Sequence, residues 1–281
     1  MLFLLRGDLK IRNSEEKMDP TGDRYARQRI LPELGEEGQR KLGLGSVLIV
    51  GCGALGGFQA ELLTRAGVGR IRLVDRDRVD WSNLPRQILY TERDAAEQAV
   101  KPEAAKRRLE AVNSSVAIEA LAIDVGPESI EGLLDGMDVV LDATDNFETR
   151  YVLNDACIKH GKPWVYGGVL GTVGMVMPVL PPDGPCLRCL IPDPPEPGAY
   201  PTTATAGVLS TAVAAVASFQ ITAALRILTG APPSPIKLIH INVWENSFEL
   251  NSVKKDENCP CCVERKFEFL ENSCPRKIEK P

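Results

Sequence analysis

Short apolar runs alternate with longer mixed stretches through most of this chain. Residues 46–50 (SVLIV) are a continuous apolar run of strand length, which predicts a buried strand. Residues 58–66 read as a helix, and 70–74 as a second strand that ends at Asp75. Residues 95–111 have helical character, 116–123 alternate like a strand, and 138–141 (DVVL) form another buried strand. A helix over 151–160 and a strand over 163–169 complete the series. Strands alternating with helices predict an α/β, Rossmann-like fold with a mostly parallel sheet and flanking helices.

The pattern changes after Gly171. Residues 172–180 read as a strand running into prolines, 181–201 are Pro/Gly-rich, and 207–228 form a long Ala-rich helix. Alternation over 236–253 predicts a C-terminal antiparallel hairpin, and 254–281 are polar and cysteine-bearing. Ahead of the fold, Tyr25, Ile30 and Leu34 stand at near-helical spacing within 23–34. The division expected is an extension (1–22), one body (23–262) and a tail (263–281), with no internal repeat.

At 281 residues the chain can bury a sizeable core. A net charge of -5 and the lack of a basic tract argue against a nucleic-acid partner. Residues 1–5 are apolar but are soon followed by Arg6, Asp8 and Lys10, so no signal peptide is expected, and Met18 is an alternative start. The uncharged stretch 197–225 is the one membrane suspect; Pro201, Gln220 and many Thr, Ser and Ala favour a helix packed against protein. Eight cysteines, several in pairs, suit metal and thiol chemistry in a reducing, cytoplasmic compartment better than a disulfide framework.

The candidate chemistry begins where the first strand ends. Gly51, Gly53 and Gly56, with Ala54 between them, make a G-x-G-x-x-G turn between strand and helix. Such glycines let the backbone approach phosphate, and the helix N-terminus offers free N–H groups. Asp75 stands where the acid of this pattern holds a ribose hydroxyl. The residues from Arg76 to Gln87 then crowd cations and amides just past the second strand, which suits a triphosphate rather than a nicotinamide. Arg86, flanked by Asn83 and Gln87, and Lys101 are the cations expected at phosphate. Asp142 and Asp145 lie at the C-terminal end of a strand, where ligands bind in open α/β sheets and a carboxylate can hold Mg²⁺. Asp145 or Asn146 can equally cap the next helix.

Cys186 and Cys189 form one C-x-x-C pair, and Cys259 and Cys262 a second. Together they offer four corners of a closed, structural zinc site that would staple the C-terminal region to the loop after Leu180. That pairing leaves Cys261 spare; Cys261 as ligand gives a cramped C-x-C. Unpaired buried or redox thiols are the alternative. His160 and His240 are the only histidines, which disfavours chemistry needing a histidine base.

Taken in order, R-Y-x-R-Q (24–28), the glycine turn, S-N-L-x-R-Q (82–87), D-x-T-D-N (142–146) and both C-x-x-C pairs resemble the ThiF/MoeB/HesA family, relatives of the catalytic domain of ubiquitin-activating enzymes. The resemblance implies a homodimer that binds Mg·ATP and adenylates the C-terminal Gly-Gly carboxylate of a ubiquitin-like sulfur-carrier protein in thiamine- or molybdopterin-type sulfur transfer. It implies nucleotide contacts from Gly51, Gly53, Ala54, Gly56, Asp75, Ser82, Asn83, Arg86, Lys101, Asp145 and Asn146. It further implies a magnesium role for Asp145, zinc on Cys186, Cys189, Cys259 and Cys262, and an Arg27 that reaches into the partner subunit's site. One departure matters: family members often carry a cysteine shortly before the A-G-V segment, and here Thr203 stands there, ahead of Ala206-Gly207-Val208. A hydroxyl cannot replace a thiolate without an activating base, so sulfur is expected from a separate donor. Activation of a ubiquitin-like modifier for conjugation, an NAD(P)-binding oxidoreductase and a silent zinc-stapled scaffold are the rival readings.

Overall fold

The computed structural model describes residues 23–196, 198–199 and 201–271, and the statements below concern those residues. The expected N-terminal extension, Cys274 and the end of the tail lie outside them. Eight strands build one sheet: β1 (Ser46–Val50), β2 (Arg70–Val74), β3 (Ala117–Leu121), β4 (Val139–Asp142), β5 (Trp164–Leu170), β6 (Val173–Val179), β7 (Lys237–Asn242) and β8 (Ser247–Ser252). Their order is β3-β2-β1-β4-β5-β6-β7-β8. The pairs from β3 to β5 are parallel, and those from β5 to β8 antiparallel. The change of sense occurs at Gly171, whose φ of 58° lets β5 turn straight back as β6.

Helices α1 (Ala26–Arg29) and α2 (Gly35–Leu44) precede the sheet, and α3 (Ala54–Ala66) links β1 to β2. Between β2 and β3 lie α4 (Glu92–Ala96) and α5 (Lys101–Val112); α6 (Pro127–Leu133) leads to β4 and α7 (Phe147–Lys159) to β5. After β6 come α8 (Leu187–Leu190), α9 (Thr203–Ala206) and α10 (Ser210–Thr229), and α11 (Glu268–Glu271) follows the hairpin. Both faces of the parallel part of the sheet are covered, whereas β8 at the antiparallel edge is largely exposed. Val47 and Ile49 pack with Leu63, Leu109 and Val216 on one side. Leu48 and Val50 pack with Ile130, Leu153 and Trp164 on the other. That two-sided burial is why β1 reads as unbroken apolar sequence. Helix α10 is long and apolar enough to cross a membrane, yet it packs on α3, β5 and β6 and buries Val213, Val216 and Gln220, as a core helix does.

Several elements depart from expectation. The predicted helix over 95–111 is two helices, because Gln98 takes φ 46° and the chain breaks to give Val79 and Lys101 backbone partners at Ala99 and Asp77. Pro102, at the start of α5, was the available signal. Helix α7 begins at Phe147, earlier than the expected 151, because the Asn146 Oδ1 accepts from Thr149 N at 2.8 Å and caps it. Glycines at 38, 43 and 132 concealed α2 and α6. Past Cys262 the chain packs back on α7: Phe269 N donates to Asp155 Oδ2 at 3.1 Å, and its ring lies 4.8 Å from that of Tyr151.

Candidate active site

The chain runs from β1 through β2 to β3 on one side and returns to β4 on the other, so the order reverses between β1 and β4. The glycine turn sits at that reversal, the crevice that α/β sheets use for ligands. Gly51 has φ 103°, and a Cβ on it would meet Ala143 O at 2.5 Å. A Cβ on Gly56 would fall 1.9 Å from Gly51 O. Both glycines are therefore required by close packing of the turn on α3 and on the 143–145 loop. Gly53 differs: it is the N-cap of α3, offers no side-chain cap, and a Cβ there would meet nothing nearer than Gln87 Nε2 at 3.7 Å. With Ala54 it leaves the start of a 13-residue helix half-exposed, the geometry that receives an anion.

Asp75 ties this turn to the exit of β2. Its Oδ2 accepts from Cys52 N at 2.7 Å and its Oδ1 from Asp77 N at 2.8 Å. A carboxylate has further lone pairs, and Asp75 remains half-exposed, so capacity for a hydroxyl is left over. Lys101 opens α5 with its side chain largely buried, and its Nζ pairs with Asp77 Oδ2 at 3.0 Å. Tyr90 locks the two together, its hydroxyl donating to Cys52 O at 2.7 Å. Ser82 and Asn83 lie on a short 3-10 turn (Trp81–Asn83) capped by Asp80, and Asn83 Oδ1 accepts from Asp80 N at 3.1 Å. Arg86 curls back, Nη1 donating to Ser82 O at 2.8 Å. Beside it Gln87 is buried against the Gly53 turn, and its Oε1 has no partner among the described residues.

The two aspartates of the 142–146 motif have opposite environments. Asp142 is fully buried. Its Oδ1 accepts from Thr144 N and Oγ1, and its Oδ2 from Arg150 Nε at 3.1 Å and Gly167 N at 3.4 Å. Every lone pair is engaged inside the protein, so the expectation that either aspartate is open to a metal is corrected for Asp142. Asp145 is exposed at the mouth of the crevice, and among the described residues its side chain has one hydrogen bond, a 3.4 Å approach from Asn146 Nδ2. Arg150, unmarked in the sequence reading, also donates to Thr144 O and Gly167 O and stacks 5.4 Å from the Tyr166 ring. Gln59 and Gln220 complete the underside: both are fully buried and both donate to Asp142 O.

Arg27 is not brought to this crevice. Its neighbours anchor at the far end of the domain: Arg24 donates to Val112 O, Gln28 to Ala66 O, and Tyr25 fills the space over Gly67. Those are the last residues of α5 and α3, helices that start at the crevice. Thirteen residues of α3 put about 20 Å between the two ends. Arg27 itself is exposed, and no hydrogen bond or ion pair joins it to another described residue.

On the other side of the sheet, Cys186, Cys189, Cys259 and Cys262 converge with all four Sγ atoms within 4.8 Å of one another. The Cys186–Cys259 and Cys189–Cys262 separations are 3.6 and 3.5 Å. Four thiolates at the Zn–S distance would stand about 3.8 Å apart, so the residues fit a tetrahedral metal. The C-x-x-C spacing is thus the one the fold uses, and Cys261 lies outside the tetrad. Cys52 and Cys157 are core residues: burial pushes both thiols above their ordinary range.

A sulfur carrier protein ThiS adenylyltransferase of Bacillus subtilis (strain 168) is 44% identical over 249 residues, covering 88% of this chain and 73% of that protein. A sulfur carrier protein adenylyltransferase of Thermus thermophilus is 43% identical over 246 residues, covering 85% and 90%. Among solved structures, E. coli MccB with ATP superposes with a TM-score of 0.75 at 21% identity, covering 86% of this chain and 75% of that one, a likeness of fold. The ThiF family pattern matches residues 25–261, from the motif around Arg27 to the second cysteine pair, and the chain belongs to the ThiF family.

Proposed function

We propose that this chain adenylates the C-terminal Gly-Gly carboxylate of a small ubiquitin-like sulfur-carrier protein, consuming ATP and releasing pyrophosphate. The observation that carries the reading is the placement of the uncapped start of α3 at the β1/β4 reversal, next to an exposed Asp145 and the 76–87 loop. Relatives above 40% identity that bear the adenylyltransferase name support it.

In this reading the amides around Gly53 and Ala54 receive phosphate, and the spare lone pairs of Asp75 take the ribose. Arg86, Lys101, Ser82 and Asn83 then turn from their loop partners toward the triphosphate. Asp145, with Asn146 beside it, would hold Mg²⁺, which would supply positive charge to offset that of the phosphates. A chain-terminal carboxylate is already ionised at neutral pH, so no base is needed. Its oxygen attacks the α-phosphorus, the bond to the bridging oxygen breaks, and pyrophosphate leaves with its charge held by Arg86 and Lys101. Zinc in the cysteine tetrad is structural. Thr203, on the exposed α9, has no thiol to offer, so a separate sulfur donor attacks the acyl-adenylate carbonyl and expels AMP. The free thiols suit a reducing, cytoplasmic setting.

Arg27 serves the site of a second copy, since about 20 Å separates it from its own. The protein is then a homodimer with two shared sites.

Carrier-dependent ATP–pyrophosphate exchange tests the chemistry. Exchange with a Gly-Gly-ending carrier, abolished by Arg86→Ala or Asp145→Ala, is the expected result; failure to bind ATP sinks the reading. Mixing tests the sharing: Arg27→Ala and Asp145→Ala subunits, each inactive alone, should together recover roughly a quarter of wild-type exchange, because a mixed dimer keeps one intact site. No recovery in demonstrably mixed dimers rules out action across the interface.

A further inference from the structure

Gln87 stands beside the start of α3 with a side-chain amide that bonds to none of the described residues. The residue is 4% exposed, and its Oε1 is buried without a partner. Its Nε2 donates to no described residue either. That nitrogen lies 3.7 Å from where a Cβ on Gly53 would stand, so it faces the N-cap of α3. Gln59, another buried glutamine with an unpartnered Oε1, differs. Its Nε2 donates to Asp142 O at 3.1 Å and to Gln220 Oε1 at 2.7 Å.

The main chain fixes this placement. Gln87 N donates to Asn83 O at 3.0 Å, and Gln87 O accepts from Tyr90 N at 3.3 Å. The next two residues lie along the first turn of α3, where a Cβ on Gly57 would meet Leu89 Cγ at 3.6 Å and Ile88 Cγ1 at 3.8 Å. The Tyr90 hydroxyl then ties the segment to Cys52 O. Packing on the turn therefore sets the amide beside Gly53.

A buried polar group left unbonded costs stability, and an apolar side chain of the same shape avoids that cost. An amide kept in such a place is explained by a ligand that completes it. The start of α3 already favours an anion, and Nε2 adds a neutral donor aimed at the same spot. Arg86 and Lys101 have to leave Ser82 O and Asp77 before they reach a phosphate. Gln87 Nε2 has no protein acceptor to leave.

We propose that Gln87 binds ATP directly, its Nε2 donating to a phosphate oxygen seated at the start of α3. The inference rests on the nucleotide reading of the glycine turn.

The experiment uses the full chain as wild type, Gln87→Met and Gln87→Glu. Two quantities are read at pH 8: the melting temperature without ligand, and the Kd for ATP with Mg²⁺ by isothermal titration. Gln87→Met keeps the shape and removes the amide. It should melt at or above the wild-type temperature and bind ATP about 10–100-fold more weakly. Gln87→Glu, which sets a carboxylate against the phosphate, should bind ATP more weakly still. Unchanged ATP affinity in Gln87→Met overturns the proposal. So does a loss of affinity accompanied by a melting temperature lowered by more than about 5 °C, which would make the amide a structural brace of the turn. Affinity in Gln87→Glu equal to or tighter than in Gln87→Met shows that the partner is not an anion, and overturns it as well. Should Gln87→Met fail to fold, Gln87→Leu takes its place with the same expected outcomes. A wild type that binds no ATP sinks the nucleotide reading itself, while an ATP-binding wild type with indifferent variants sinks only this inference.

Discussion

At the β1–α3 turn the groups on offer are main-chain amides from a few consecutive residues, whereas in the knuckle four side chains converge from two loops 73 residues apart. The turn is open, and its neighbours Asp145 and Ser82 are exposed. The cysteine tetrad is more enclosed: Cys186 and Cys259 are fully buried and Cys189 and Cys262 half-buried, with buried Asn154, Asp155 and Arg188 nearby. A site that must release product is made of backbone that does not rearrange and side chains that do. A site that must only hold is made of side chains that converge from two loops and are half-buried or buried.

The largest way to break this contrast is to strip the metal that we propose the tetrad holds. A bound metal at about a thousand times its dissociation constant contributes about 4 kcal/mol, so chelation should lower Tm by about 10 °C or more. Adding ATP to the untreated protein should raise it far less. Thermal melts with and without chelator decide the matter, and equal shifts would erase the distinction.

The two aspartates sharpen it next. Asp142→Ala leaves Arg150 buried without its partner and should destabilise by about 3–5 kcal/mol in denaturant titration. Asp145→Ala should change stability by less than about 0.5 kcal/mol, yet reduce carrier-dependent exchange at least about 100-fold.

Within the turn, Gly56→Ala drives a methyl against Gly51 O and should cost about 2 kcal/mol or more along with ATP binding. Gly53→Ala meets no such contact and should fold normally while weakening ATP, as read by isothermal titration.

The smallest effect lies away from both sites. Burial raises the Glu119 carboxyl, but hydrogen bonds from Arg70 and Arg72 more than offset it and leave it below the usual range. This stabilisation is present above the unfolded value of about 4.3 and is lost as pH falls through the lower folded value. Glu119 is about a third exposed, so Glu119→Gln should remove less than about 1 kcal/mol of acid-sensitive stability in melts between pH 3 and 7.

Legibility in the sequence follows how local each feature is. β1, the glycine turn and β2 occupy consecutive residues, and 46–50 and 70–74 were readable to the residue. The cysteine pairs were readable because a C-x-x-C spacing declares its own geometry, which singled out Cys262 over Cys261. Asp142 and Asp145 looked alike because only burial separates them, and burial depends on Arg150 folding back across a helix turn and on Gly167 from the next strand. Gln59 and Gln220, 161 residues apart, were beyond any spacing argument. The position of Arg27 at the far end of α3 was likewise set by contacts of Tyr25 and Gln28 with residues distant in sequence.

The knuckle also has a consequence for biosynthesis. A chain made at about 5–20 residues per second presents Cys186 about 4–15 s before Cys259 exists. During that interval α10, which packs on α3, β5 and β6, and the hairpin are still being added, while the first pair of thiols offers only half of the tetrad. Closure of the tetrad around any metal is therefore among the last events of synthesis, and a chain cut short before Cys259 could never complete it.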